Sequence, residues 1–388
     1  MFFKFTTAGE SHGRALVAIV EGLPAGLKID VEQINFELWR RQQGYGRGAR
    51  QKIERDTIEI FSGIRHCKTL GSPVAFTVEN KDFVHWREIM GSEKLESEPK
   101  NLKQITRPRP GHADLAGGQK FQTRDLRDVL ERASARETAA RVACGAFARQ
   151  LLAQFGVEIK SHVVKIGSIP EKPLEKTFDE ISVIKEDSLL RCADAEIEKR
   201  MIQLIDEAAK NGDTLGGVFE VVARNVVVGL GSHTSWNEKL DGKIAQAFVS
   251  IPAVKAVEIG SGVENSTLFG SQVHDEIVFE NEDFKRATNR AGGLEAGITN
   301  GEEIRARGFM KPISTLKKPL RSIDINTKQE SLAAFERSDT TAVPAAGVVA
   351  EAMLSIVLAN AMREKFGGDS LAEMLANFEN YRKLLQNY

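Results

Sequence analysis

The sequence predicts an α+β fold. Candidate strands come in neighbouring runs, helical periodicity comes in blocks, and strict β-α-β alternation is missing, which disfavours a doubly wound parallel sheet. No fixed-period repeat or low-complexity tract interrupts the 388 residues. That length suits one large domain or two medium ones. The expectation is a single domain over 1–388, with a charged stretch around 171–194 as a surface insertion.

The elements follow from local signals. Phe2 to Thr7 and Leu16 to Val20 read as strands, the second closed by Gly22-Leu23-Pro24. Asp30 with Gln33 three residues on resembles a capping box, opening a helix through Phe36, Leu38 and Trp39 that stops before Gly44. Thr57–Phe61 and Val74–Val78 are strand candidates. Leu130, Ala133, Ala140, Cys144, Phe147 and Leu151 recur at helical spacing, so one long helix is expected from about Leu126 to Phe155, with Gly156 at its C-terminal cap. Glu158 to Ile169 reads as a strand. A helix with Ile197, Met201, Leu204, Ile205 and Ala208 on one face follows, stopped by Gly212. Strands are expected at Val218–Val228, Glu276–Phe279 and Ile304–Met310, then two closing helices, Gly347–Phe366 and Leu371–Leu385.

Composition narrows the function. Hydrophobic content of 41% and charged content of 28% describe an ordinary soluble protein, and a net charge of -1 gives no overall case for nucleic acid. Cys67, Cys144 and Cys192 form no CxxC pair, so neither a disulfide framework nor a zinc ribbon is indicated, and no histidine pair has metal-ligand spacing. Met1 to Thr6 lacks the basic start and apolar run of a signal peptide. The longest apolar stretch, Ala342–Met362, contains Pro344, Glu351 and Asn360, which points to a buried core helix and not a membrane span. A cytoplasmic protein is the expectation.

Chemistry concentrates in polar loops. His12 lies in Gly9-Glu10-Ser11-His12-Gly13, and His112 in Pro108-Arg109-Pro110-Gly111-His112-Ala113-Asp114. An imidazole delivers a proton near neutral pH, and guanidinium groups fix carboxylate or phosphate oxygens. The run from Arg40 to Arg50 sets Arg40, Arg41, Arg47 and Arg50 among glycines, which suits a polyanion or else makes a basic surface loop. In Thr106-Arg107-Pro108-Arg109-Pro110-Gly111-His112 the prolines stiffen two arginines and the histidine in advance of binding. Arg132 and Arg136, four apart on the expected helix with Ser134 between them, share a face that either meets a ligand or forms exposed salt bridges. Arg337-Ser338-Asp339 precedes the apolar helix and can hold an anion or cap that helix. Lys311-Pro312-Ile313-Ser314-Thr315 is a loop able to hold phosphate. His66, His85, His162, His233 and His274 lack such company and read as surface or satisfied core residues.

Seven of these segments in order closely resemble the chorismate synthase family: GESHG continuing to Pro24, RRQxGYGRG, PRPGHAD, SARET, Gly292-Gly293-Leu294-Glu295-Ala296-Gly297, KPIST and Arg337-Ser338-Asp339. The match spans nearly the whole chain. The resemblance implies a β-α-β sandwich with helices between antiparallel sheets, assembled as a homotetramer. It also implies a 1,4-anti elimination of phosphate from 5-enolpyruvylshikimate-3-phosphate that needs reduced FMN without net redox change. By the same resemblance, His12 and His112 are catalytic and Asp339 is the carboxylate near flavin N5. FMN contacts carry over to Arg132, Ala133, Ser134, Pro252, Ala253, Ala296, Lys311, Pro312, Ile313, Ser314, Thr315 and Arg337. Arg41 and Arg47 match NADPH positions, NADPH being a reductant for the flavin. Substrate contacts fall on Ser11, His12, Arg41, Arg47, Arg50, Arg107, Arg109, Ser134 and Arg136. Two positions depart from the family: alanine at 296 where many members have glycine, and proline at 252 where a polar residue is common. Both can serve through the backbone, Pro252 through its carbonyl alone.

Two other readings compete. An ordinary flavin oxidoreductase using NADPH would release a reduced product. An RNA-binding protein would use GYGRGAR and PRPGH as basic loops, but the near-neutral charge and missing aromatic RNA-binding pattern count against it.

Overall fold

Strict alternation builds the first sheet. Leu16, Ala18 and Val20 are buried while Val17 and Ile19 between them are 40% and 42% exposed, so one face of the strand meets a core and the other does not. The computed structural model describes residues 2–47, 55–94, 104–280, 282–335 and 339–388. Strands β1 (Lys4–Ala8), β2 (Ala15–Glu21), β3 (Ile58–Ile60) and β4 (Val74–Glu79) form an antiparallel sheet in the order β1-β2-β4-β3. Strands β5 (Glu158–Ile166), β6 (Gly217–Arg224), β7 (Val254–Ile259) and β8 (Ile304–Met310) form a second antiparallel sheet, ordered β5-β6-β8-β7. The α+β class expected from the sequence is what the chain adopts.

The helices are α1 (Val31–Gln42), α2 (Asp114–Phe121), α3 (Arg127–Ala133), α4 (Thr138–Ala153), α5 (Ala195–Lys210), α6 (Leu240–Val249), α7 (Val343–Phe366) and α8 (Leu371–Gln386). Helix α4 packs on the first sheet and on α7, while α7 packs on β5 and β6 of the second. Twenty of the 24 residues of α7 are buried, as an all-round apolar helix requires. It is the one described helix long and apolar enough to cross a membrane, and it lies in the core. Where α4 meets α7 only glycine fits, because a Cβ on Gly145 would stand 2.4 Å from the Ala352 Cβ.

The expected helix over Leu126–Phe155 is broken. Ser134 leaves helical geometry with φ −66° and ψ 143°, and its Oγ accepts from Arg136 N at 3.3 Å. This side-chain bond offers the backbone a local alternative to the helical ladder. Arg132 and Arg136 therefore do not share one helix face: Arg132 donates to Thr7 O, while Arg136 donates to Asp56. The Asp30 cap forms only by half. Its side chain accepts from Gln33 N, but its own N–H donates to Gln150 Oε1 at 2.8 Å.

A buried ion cluster ties the layers together. Glu351 on α7 takes two bonds from Arg40 (2.7 and 2.9 Å), one from Arg149 (2.8 Å) and one from Ser161 Oγ (2.6 Å). Arg40 thus belongs to the core and not to an anion-binding loop. Its Nε donates to Glu186 at 2.6 Å, and Glu186 also pairs with Arg191 and Lys160. Glu186 lies in the 171–194 stretch, where Phe178, Ile181, Leu190, Arg191 and Cys192 are also buried.

Burial alone would raise the Glu351 carboxyl. Arg40 and Arg149 outweigh it and hold the group well below the usual range. Glu186 is lowered to about 2, burial being outweighed by Arg40 and Arg191. Both folded values lie below the unfolded one, so this stabilisation is complete above about pH 4.3, the ordinary glutamate value, and is lost as pH falls below it. We therefore expect urea unfolding to show stability declining between about pH 4.5 and 2. Glu351→Ala at pH 7 should cost about 3–5 kcal/mol, because it leaves Arg40 buried with its charge under-compensated. A loss below about 1 kcal/mol would show the cluster to be dispensable.

Candidate active site

The loop after β1 is held by the end of α3. Ser11 N donates to the Glu131 carbonyl at 3.1 Å, and His12 N donates to the Glu131 carboxylate at 2.8 Å. The His12 Nδ1 stands 2.9 and 3.0 Å from the two carboxylate oxygens. Arg127, one helical turn before Glu131, reaches the same carboxylate at 3.3 Å. Glu131 is buried, which on its own raises its carboxyl, but His12 reverses the direction and lowers it. The His12 ring also stacks on Trp86, with centroids 4.0 Å apart and planes 25° apart. Ser134 Oγ donates to Ser11 Oγ at 3.2 Å, and Arg132 donates to Gly9 O and Thr7 O.

Three arginines gather beside this loop. Arg136 makes a forked pair with Asp56 (2.7 and 2.8 Å) and donates to Asn80 Oδ1, while the Asn80 amide donates to Gly13 O. Arg41 donates from Nε to Thr138 Oγ1 at 2.9 Å, with its Nη1 3.7 Å from Asp56. Burial lowers the Arg41 guanidinium to about 10; Asp56 opposes this, and the neighbouring Arg136 and Arg47 reinforce it. Arg47 pairs with Asp339 at 3.1 Å. Gly46, at φ +78°, accepts from Thr340 N through its carbonyl and so aligns the two segments. Asp339 thus pairs with an arginine, and the cap position of α7 is Ala342, which provides no side-chain bond.

The second histidine has the same kind of support. Asp114 is fully buried and lies 2.5 Å from His112 Nδ1. It also accepts from Arg109 Nε at 2.8 Å and Nη2 at 3.0 Å. Against burial, His112 and Arg109 hold the Asp114 carboxyl far below the usual range. Arg109 further donates to Thr315 Oγ1, and Gly111 O accepts from Lys311 Nζ and Ser314 Oγ, so the PRPGH loop docks onto the KPIST loop. Lys311 N donates to Ala253 O, and Thr214 Oγ1 donates to Ile313 O. Burial, with help from Lys255, lowers the Lys311 ammonium. Leu215 N in turn donates to Thr340 O, which connects this loop system to the segment bearing Asp339.

The expected site residues therefore fall into two groups. Ser11, His12, Arg41, Arg47, Arg132, Ser134, Arg136 and Asp339 surround the first loop. Arg109, His112, Lys311, Ser314, Thr315 and Ala253 surround the second. Pro252 lines a cleft of about 450 Å³ with Arg132, Ala133, Thr7 and Met353. A second cleft of about 680 Å³ has Arg109, Gly111 and His112 on one side and Arg321 and Glu330 on the other. Arg107 is exposed. Ala296 sits at φ +50° in the turn between Leu294–Glu295 and Ile298–Thr299. Arg50 and Arg337 lie outside the described residues.

Trp86, Asp56, Asn80 and Asp114 have no role in the sequence reading, and Glu131 figures there only in the exposed salt-bridge alternative, whereas it is buried. Asp114 carries a local signal, two residues after His112 in one turn. Glu131 carries none, since 119 residues separate it from His12. Among the unassigned histidines, His162 is a core residue whose Nε2 lies 3.1 Å from Glu220, while its buried Nδ1 has no hydrogen-bond partner among the described residues.

Comparison with known proteins agrees with this geometry. The family model described as chorismate synthase matches residues 3–363. A chorismate synthase of Solibacter usitatus is 54% identical over 99% of this chain and 100% of its own length. One of Bacillus subtilis is 51% identical over the same shares. A solved structure described as a crystal structure of chorismate synthase superposes with a TM-score of 0.78 at 43% identity, covering 100% of this chain and 99% of the other. With matched sequence, matched fold and both histidine loops in place, the chain belongs to the chorismate synthase family of carbon–oxygen lyases acting on phosphates.

Proposed function

We propose that this chain eliminates phosphate from 5-enolpyruvylshikimate-3-phosphate to form chorismate, with reduced FMN bound in the site. The observation that carries the reading is the pairing of each loop imidazole with a buried carboxylate, beside a cluster of three arginines. The substrate bears two carboxylates and a phosphate, and Arg41, Arg47 and Arg136 form a positive cluster suited to them. Arg50 and Arg107 are further substrate contacts by family likeness, and Arg109 orients the His112 loop.

The residues fit a flavin phosphate and ring. Lys311, Ser314 and Thr315 supply donors, and Arg132, Ala133 and Pro252 line a cleft of small-molecule size. Ala253, Ala296, Pro312, Ile313, Ser134 and Arg337 complete the contact set. Reduced FMN, when bound, would supply transient electron donation to the departing phosphate, with no net oxidation over the cycle. The protein supplies the proton chemistry. One imidazole protonates the leaving phosphate, the other sets the flavin's protonation state, and the Asp339 carboxylate serves the flavin side. Arg41 and Arg47 also meet NADPH where that nucleotide reduces the flavin. The working form is a homotetramer of single-domain chains in the cytoplasm.

Anaerobic incubation with pre-reduced FMN and the enolpyruvyl substrate should give chorismate absorbance with far less than one equivalent of reductant consumed per product. Stoichiometric flavin oxidation would restore the oxidoreductase reading. Salt-dependent RNA retention without flavin binding would instead favour the basic-loop alternative.

In single-turnover assays with reduced FMN, His12→Ala and His112→Ala should each lose roughly 10²–10⁴ in rate while still binding flavin. Asp339→Asn should also slow the step, since an amide cannot take up the proton. Arg47→Ala should weaken substrate binding by about 1.5–3 kcal/mol. Near-wild-type rates in both histidine variants would place the acids elsewhere.

A further inference from the structure

His12 does not stand alone on its loop but closes a ring of four side chains. Its Nδ1 faces both oxygens of Glu131, its ring face lies on Trp86, and Arg127 joins the other two. The Arg127 guanidinium carbon is 5.1 Å from the Trp86 ring centre, and its Nη1 is 3.3 Å from Glu131. The Trp86 indole is itself anchored, donating from Nε1 to Asp82 at 3.2 Å. We infer that Glu131 and Trp86 are positioning residues that fix the tautomer, tilt and charge of His12 for proton delivery. This rests on the reading of His12 as a proton-transfer group.

The chemistry follows from the donor inventory. An ionised carboxylate only accepts, so the proton between Glu131 and Nδ1 belongs to the imidazole. That fixes the Nδ1–H tautomer in the neutral ring and leaves Nε2 as the atom that gains and loses the working proton. The Glu131 side chain is 0% exposed, so its charge acts on the ring with little solvent screening and favours the imidazolium. Stacking on the indole face favours the cation further and blocks ring rotation. Glu131 also receives the His12 backbone N–H, so one side chain sets both the loop path and the ring. Arg127 limits the effect by drawing on the same carboxylate and the same indole. Other charged groups around the loop include Asp82 behind Trp86, Glu10 on the loop itself, where a Cβ on Gly13 would meet its Oε2 at 3.0 Å, and Arg132, bonded to Gly9 O. The Arg136–Asp56 pair reaches the loop through Asn80, with Arg41 and Arg47 beside it.

The test follows the ring nitrogens of His12 by NMR through a pH titration of the intact chain, in parallel with kcat against pH. Glu131→Gln keeps the shape and removes the charge that favours the protonated ring. Because an acid works only while protonated, the limb on which activity declines with rising pH should move to lower pH. Trp86→Ala should lower kcat about tenfold, and Trp86→Phe, which still stacks, should recover most of it. A purely structural clamp would lower Tm without moving either titration. An unchanged His12 titration in Glu131→Gln, or equal impairment in the alanine and phenylalanine variants, would overturn the inference. The NMR readout needs no turnover, so it separates this inference from failure of the elimination reading.

Discussion

Placing Glu351 in the middle of an otherwise apolar helix constrains everything around it. A lone carboxylate there would be prohibitive, so cations must converge on it from several elements. Arg40 comes from α1, Arg149 from α4 and Ser161 from β5, and Glu186 closes the far side of Arg40. The cluster therefore specifies how the second sheet meets the interior helices. It also reaches the site indirectly. Arg40 and Arg41 are neighbours at the end of α1, so the clamp on one sets the starting point of the other beside Asp56 and Thr138.

The site repeats that logic on a smaller scale. Each loop imidazole faces a carboxylate supplied by a helix, Glu131 from α3 and Asp114 from the start of α2. Burial alone would neutralise such acids, and in both cases the histidine and an arginine keep them ionised. The two imidazoles are thus carried on loops but oriented by rigid elements, which confines their rotamers before any ligand arrives.

Local signals carried the frame of the fold a long way. The alternation in Ile304–Met310 and the apolar face of Ala195–Lys210 are each decided by residues within a few positions, so strand and helix could be read directly. The break at Ser134 could not. Helical periodicity runs through it, and the competing bond from Arg136 N is a modest local preference that only tertiary contacts resolve. The glycine-bounded histidine loops stood out because no apolar periodicity surrounds them. Their partners were not, since pairs such as His12 with Glu131 or Arg40 with Glu351 join positions more than a hundred residues apart. Charge type was readable, but whether an arginine faced ligand or core was not. Arg40 and Arg41 are adjacent, yet one serves the interior and the other the site.

The contact between Gly145 and Ala352 has a mechanical corollary. Two helices that touch backbone to side chain at one point cannot slide past each other, because any larger residue arriving there would collide. The contact therefore opposes shear between α4 and α7, and it holds the helix that carries Glu351 in fixed register with the helix that carries Arg149.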